Sequence, residues 1–413
     1  MNRRHFMKHL AGQSALAGAA GAFAQTMAAN AQALKKSGKA CILMWMGGGP
    51  STMDIWDLKP GAATGGEFKP IQTAAPGVEI CEHMPMTAKI MDKISIIRSM
   101  STREADHNRG RYYMHTGYVP NPNVTHPSYG SVLAKTLGDP TATLPPFVSV
   151  GGGSVGPGFL GMGYAPLVVN SNGQIRNIKG FVDQDRLMQR MWLLDGVEKK
   201  FIGDRRGGLA SDHQSVLKKT LSLMTSNQME AFRVQQEDPA TLERYGEDGF
   251  GRGLLMARRL VQEGVPFVEV NYGGWDNHQG IFPTLKDTKL PLIDRGISAL
   301  VEDLSARGML ENTVVMWMGE FSRTPRINAE SGRDHWARAW SVMAGGGSIK
   351  GGRAVGTTSA DGTSVTSDPY SAEDLMASVC QGLGISLKTT FTSKTGRPMK
   401  IANGGKVINE LFS

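Results

Sequence analysis

The residues that could do chemistry in this chain fall into five short polar stretches, each opened by glycine or by a small hydroxyl residue. The densest covers 101–117 and holds Asp106, His107, Arg109, Arg111, His115 and two tyrosines. Arginine's planar fork suits a phosphate or sulfate oxyanion, and histidine can ligate a metal or act as a nucleophile. In Gly273-Gly274-Trp275-Asp276-Asn277-His278 an extended backbone would put Asp276 and His278 on one side, within reach of a single ion. The others are Gly47-Gly48-Gly49-Pro50-Ser51 with Asp54, Gly319-Glu320-Phe321-Ser322-Arg323, and Gly332-Arg333-Asp334-His335-Trp336. Taken singly they read as turns, helix caps or solvated charge, with Asp54 capping a following helix. In series they supply what a hard cation needs, oxygen and imidazole ligands converging from separate elements. His83, His126 and His213 stand apart from these stretches and read as surface or core residues.

Four of the five stretches follow or neighbour apolar runs of strand character. The runs 41–46, 93–98, 147–150, 266–271 and 313–318 are short and rich in Ile, Val, Met and Trp, and each ends in a glycine-rich or polar loop. Helical periodicity appears between them, with Leu254, Leu255, Ala257, Leu260 and Val261 on one face and Ile293, Ile297, Leu300, Val301 and Leu304 on another. Strands alternating with helices predict an α/β fold with a largely parallel sheet, in which ligand sites lie beyond the strand carboxyl ends. Residues 180–245 lack strand signals and are rich in Gln, Met, Lys and Leu, which predicts a helical insertion covering the site. Without repeats or a low-complexity linker, 34–413 reads as one elaborated domain.

Composition excludes several classes. Glycine accounts for 52 of 413 residues, about twice the usual ~7%, yet no G-X-Y period runs through the chain. The net charge of +8 includes Arg3, Arg4 and Lys8 of the leader; without those three it is 8 − 3 = +5, spread with no basic stripe. Nucleic-acid binding is therefore not expected. Three cysteines cannot form a disulfide framework, and Cys41 and Cys380 read as small core residues. Residues 1–33 have the layout of a signal peptide: Arg3-Arg4 before Phe6 and Lys8, a weakly apolar Ala- and Gly-rich stretch, and A-x-A sites placing the cut between 24 and 33. The paired arginines predict handling by the twin-arginine export machinery and a periplasmic or secreted location. No stretch of the mature chain is apolar for the ~18–20 residues that a span requires.

Together, the leader and the motifs at 47–54, 273–278, 319–325 and 332–336 resemble the exported family numbered 1501, within the alkaline phosphatase and sulfatase superfamily. The resemblance extends over roughly 35–410. It implies a three-layer sandwich, a central sheet with helices on both faces and a metal site at the strand carboxyl ends, and the hydrolysis of phosphate or sulfate esters. By the same resemblance Asp54, Asp276, His278, Glu320 and His335 would hold a divalent ion (Zn, Mn, Ca or Mg), and His107 falls where a sulfatase carries its nucleophile. Arg109 and Arg111 would steady the oxyanion. The chain departs from that pattern in three ways: Glu320 stands in place of an Asp, Phe321 removes a histidine, and no cysteine is followed by x-Pro-x-Arg. These departures imply one metal with a histidine nucleophile or water attack, and they exclude a formylglycine sulfatase. The expected function is an exported metal-dependent hydrolase of a small-molecule or glycan ester. The alternative is a non-catalytic member of the fold that binds an anionic surface glycan.

Overall fold

The computed structural model describes residues 38–175, 184–203, 223 and 226–413. The leader expected over 1–33 and part of the segment 180–245 lie outside the described residues. Eight strands form the central sheet: β1 (Ala40–Trp45), β2 (Ile94–Met100), β3 (Phe147–Val150), β4 (Leu167–Val169), β5 (Phe267–Asn271), β6 (Thr313–Met318), β7 (Trp340–Gly345) and β8 (Arg353–Val355). Their spatial order is 8-2-7-6-1-5-3-4. β1 pairs in parallel with β5 and β6, β5 with β3, β3 with β4, and β2 with β8, whereas β7 runs antiparallel between β6 and β2.

All six residues of β1 are buried. Because a strand turns alternate side chains to opposite faces, Ile42 and Met44 enter one apolar cluster while Cys41, Leu43 and Trp45 enter another. A sheet covered on both faces is the reason the strand sequences read as continuous apolar runs. The longer helices are α1 (His107–Thr116), α2 (Tyr129–Leu137), α3 (Gln184–Gly203), α4 (Gly249–Gln262), α5 (Leu290–Ala306) and α6 (Ala372–Gly382). Leu254, Leu260, Ile293, Ile297 and Leu304 of α4 and α5 pack on one face; Leu133, Leu137, Leu375 and Val379 of α2 and α6 pack on the other. The three-layer α/β sandwich expected from the sequence is the fold observed. Burying each such aliphatic side chain stabilises the fold by roughly 1.5–3 kcal/mol.

Capping sets the helix limits. α4 starts a turn earlier than its apolar periodicity, because Asp248 accepts hydrogen bonds from the amides of Phe250 and Gly251, both at 2.9 Å. A reciprocal capping box of Ser371 and Asp374 opens α6. A π-helical turn, Thr284–Lys289, precedes α5 and carries buried Lys289, whose ammonium donates to the Gly273 carbonyl at 2.7 Å. That bond ties the loop after β5 to the helical layer.

Two features were not legible beforehand. Within 180–245, α3 exposes Trp192, Leu193 and Val197, while Ala231, Phe232, Val234 and Tyr245 are buried in the domain core. The second half of the expected insertion is therefore part of the packed body. The other feature is the direction of β7. Trp340 pairs with Met100 at the carboxyl end of β2, so the chain entering β7 arrives on the edge where the other strands end. All three cysteines are free and buried, and no helix among the described residues is long and apolar enough to cross a membrane.

A candidate metal centre at the strand carboxyl ends

His107 is the first residue of α1, whose N-cap Asp106 accepts from the Arg109 amide at 3.0 Å. Its Nδ1 lies 2.7 Å from Glu320 Oε1, and its Nε2 lies 3.2 Å from Asp276 Oδ2. Glu320 ends the loop after β6, is buried, and also accepts from the Gly48 amide at 2.9 Å. Asp276 belongs to the loop after β5. That loop runs against the first one so closely that a Cβ on Gly48 would fall 2.6 Å from the Asp276 amide nitrogen, and Gly48 itself has φ +116°. Only glycine fits there. His335 arrives on the strand entering β7: the pair His335–Trp336 lies antiparallel to Ser322–Arg323, with His335 opposite Arg323. His335 Nδ1 lies 2.9 Å from the Ala105 carbonyl oxygen, and its Nε2 lies 3.3 Å from Asp276 Oδ1.

One ligand atom each of His107, Asp276 and His335 lies within 4.8 Å of the other two. Both imidazoles face an acceptor at each nitrogen, and the tautomer with its proton on Nδ1 directs the Nε2 lone pair at the Asp276 carboxylate. Lone pairs facing a carboxylate call for a cation or a proton between them. His107 Nε2 and Glu320 Oε2 are buried atoms with no hydrogen-bond partner, a cost that ion binding removes. Two imidazoles and one carboxylate, with each imidazole held from behind, fit a divalent ion that keeps an open coordination position.

The other sequence-predicted residues lie differently. His107 stands among the atoms that could hold an ion. Glu320 sits behind His107 and orients it, though its second oxygen remains free to reach an ion. His278 turns Nδ1 to Asp334 Oδ1 at 2.7 Å, and its Nε2 faces Asp276 Oδ1 at 2.9 Å and Arg323 Nη1 at 3.3 Å. Asp54 does not join the group. Its two oxygens are taken by Arg333, at 2.8 and 2.9 Å, and by the Ser51 hydroxyl at 2.6 Å, with no side-chain exposure on either member of the Arg333 pair. Arg109 pairs with Glu104 at 2.6 Å, and one amine of Arg111 donates to the Gly153 carbonyl. Arg323 and Arg333 were visible in the motifs without an assignable role, because a sequence shows a charge and not its partner.

Burial by itself would raise the Asp276 carboxyl. The hydrogen bond and charge of Arg323, with His107 and His278, overturn this and hold it at about 2. The ionised form is thus favoured by the fold, so its contribution is complete above the ordinary carboxylate value of ~3.9 and is lost as pH falls through about 2. In chelator, wild type is expected to melt above Asp276→Asn at about pH 6, with the gap closing between about pH 4 and pH 2. A gap independent of pH would show that Arg323 does not hold the charge. A cysteine thiolate is not available, since burial pushes Cys81 and Cys380 up to about 12 and Cys41 higher still.

The sequence model of the family described as "Protein of unknown function (DUF1501)" matches residues 38–412. No curated protein matches the chain. Among solved structures the chain is similar to the crystal structure of Ps i-CgsB, with 13% identity, 91% of this chain and 76% of that one covered, and a TM-score of 0.44. It is similar to the PsFucS1 sulfatase from Pseudoalteromonas sp., with 12% identity, coverage of 86% and 72%, and a TM-score of 0.35. A protein in the alkaline phosphatase superfamily from Vibrio parahaemolyticus shows 11% identity, coverage of 89% and 69%, and a TM-score of 0.35.

Proposed function

The chain belongs to the DUF1501 family, and on that premise we propose that it is an exported, divalent-metal-dependent hydrolase of phosphate or sulfate esters. The observation that carries this reading is the convergence of His107, Asp276 and His335 on one point, with both imidazoles oriented through Nδ1. A structural metal site is closed by four protein ligands, whereas three leave room for substrate or water.

His107 Nε2, an oxygen of Asp276 and His335 Nε2 would hold the ion. When bound, it would supply Lewis acidity toward an ester oxygen and toward water. The chain's own part is orientation and charge. Glu320 and the Ala105 carbonyl keep the two imidazoles in the ligating tautomer. Asp276 stays ionised because Arg323 compensates it, and it is too weak a base to take up a proton near neutrality. The positive end of the α1 dipole lies at the same point, since His107 opens that helix, and it favours the anionic group of the substrate. Hydrolysis then joins the water oxygen to phosphorus or sulfur, breaks the bond to the ester oxygen, and returns a proton to the departing alcohol.

The test is a single preparation. Protein recovered from the extracytoplasmic fraction is analysed for metal and assayed on phosphate monoesters, phosphate diesters and sulfate esters, before and after chelation. The expected result is about one ion per chain and turnover of one ester class that chelation abolishes and Zn2+ or Mn2+ restores. Protein with no bound metal and no metal-restored turnover would reject the hydrolase in favour of the binding module. Retention of the leader-bearing chain in the cytoplasm would reject export.

A further inference from the structure

We propose that the Arg323 guanidinium is the resident cation of the outer half of this site, filling the place between Asp276 and His278 that a second divalent ion would otherwise occupy, and so limiting the chain to one ion. The proposal rests on the metal reading above and goes beyond it.

Arg323 has five N–H donors, and all five have partners. Nε donates to the Gly49 carbonyl at 2.7 Å, Nη2 to the Gly48 carbonyl and to Asp276 Oδ1, and Nη1 to His278 Nε2 at 3.3 Å and the Arg333 carbonyl at 3.5 Å. The side chain has no exposure. Three of the five partners are backbone carbonyls from two loops, so the position of the charge is fixed by the chain and not by Asp276 alone. No donor is left over for a substrate oxyanion. Arg323 is therefore a built-in charge and not a substrate clamp.

The partners it holds are a cation's ligands. His278 Nδ1 is set against Asp334 Oδ1 at 2.7 Å, the outer-sphere arrangement that prepares an imidazole for a metal. That leaves Nε2 facing inward, toward Asp276 Oδ1 at 2.9 Å and Arg323 Nη1 at 3.3 Å. Asp276 Oδ1 and the Gly48 carbonyl oxygen complete a set of one nitrogen and two oxygens around the guanidinium, of the kind that takes Zn2+ or Mn2+ when no arginine is present. The short spacing of Asp276 and His278 brings these groups together; His335, opposite Arg323 in the ribbon, also meets Asp276 Oδ1 at 3.3 Å, while His107 Nε2 faces the second carboxylate oxygen, Oδ2, at 3.2 Å. One carboxylate thus lies between a fixed cation and an exchangeable one.

Zn2+ titration with calorimetry and metal analysis decides the matter. Wild type is expected to bind one Zn2+ per chain, Arg323→Ala two, and Arg323→Lys one, since lysine keeps the charge as a compact ammonium. The double variant Arg323→Ala with His278→Ala should return to one ion. A natively folded Arg323→Ala protein, judged by circular dichroism, that still binds one ion would overturn the assignment, as would two ions in wild type. If Arg323→Ala does not fold, His278→Ala in the otherwise wild-type chain answers instead. An unchanged Zn2+ Kd is expected because His278 faces Arg323, and a weakened Kd would place His278 on the ion and overturn the proposal. A wild-type protein that binds no ion would defeat the metal reading itself, a separate outcome.

Discussion

Replacing His335 with Ala is expected to weaken Zn2+ binding by more than about 100-fold, beyond the ~10–100-fold that losing an outer-sphere partner of a metal ligand costs. Its Nε2 lies 3.3 Å from Asp276 and its Nδ1 is fixed by the Ala105 carbonyl, so the variant removes a ligand delivered in its binding tautomer. His107→Ala should behave alike. Glu320→Gln should fall in the milder range, because the imidazole remains and only its orienting carboxylate is changed. A double variant of His107 and His335 should lose little beyond either single one, since the ion is already gone. Stability should hardly move in chelator: both side chains are partly exposed, at 34% and 28%, and neither sits in the apolar clusters. Calorimetric titration beside thermal melting separates these effects. Full Zn2+ occupancy in both His107→Ala and His335→Ala would remove the basis of the site.

The sheet was legible because burial on both faces writes itself into sequence as short apolar runs that end at glycine. All five such runs are strands of the central sheet. What escaped was β4, β7 and β8: Leu167–Val169 and Arg353–Val355 have three residues each, too short for a pattern, and Trp340–Gly345 contains Ser341, Ala344 and Gly345, which dilute the apolar signal. Missing β7 hid its direction, and with it the reason why His335, which precedes its strand, shares an edge with loops that follow theirs. The site was legible at the level of residue type. Acids and histidines of four of the five loops do meet, Asp54 excepted, but which acid meets which base depends on sequence separations of 213 residues for His107 and Glu320 and 279 for Asp54 and Arg333. Glu320 and His107 accordingly exchange places relative to the expectation: the carboxylate stands behind and the imidazole in front. The two arginines carry no sequence mark that tells a buried charge from a solvated one. Only packing decides it.

Asp54 offers the sharpest contrast between a ligand and a structural anchor. Asp54→Ala is expected to cost about 3–5 kcal/mol of stability, the range for removing one partner of a buried ion pair, and to leave Zn2+ stoichiometry at the wild-type value. The reason lies in Arg333. Its five donors are spent on both Asp54 oxygens and on the carbonyls of Thr64, Thr324 and Pro325, so without the carboxylate a fully buried guanidinium would lose its counter-charge and two hydrogen bonds. That charge also joins the loop after β1 to the loop that carries Asp334 and His335, which makes the pair a brace for the candidate metal site while standing outside it. Removing both charges together, with Asp54→Leu and Arg333→Met, should recover much of the loss in stability, because a well-packed apolar pair is often neutral relative to a buried ion pair. The same double variant should bind Zn2+ more weakly than Asp54→Ala, since the three carbonyls that Arg333 gathers would be released and the 332–336 loop would no longer be held. Denaturant unfolding in chelator gives the first quantity and Zn2+ titration the second. Loss of the ion in Asp54→Ala with stability unchanged would make Asp54 a ligand, as the family resemblance implies, and would remove it from the core.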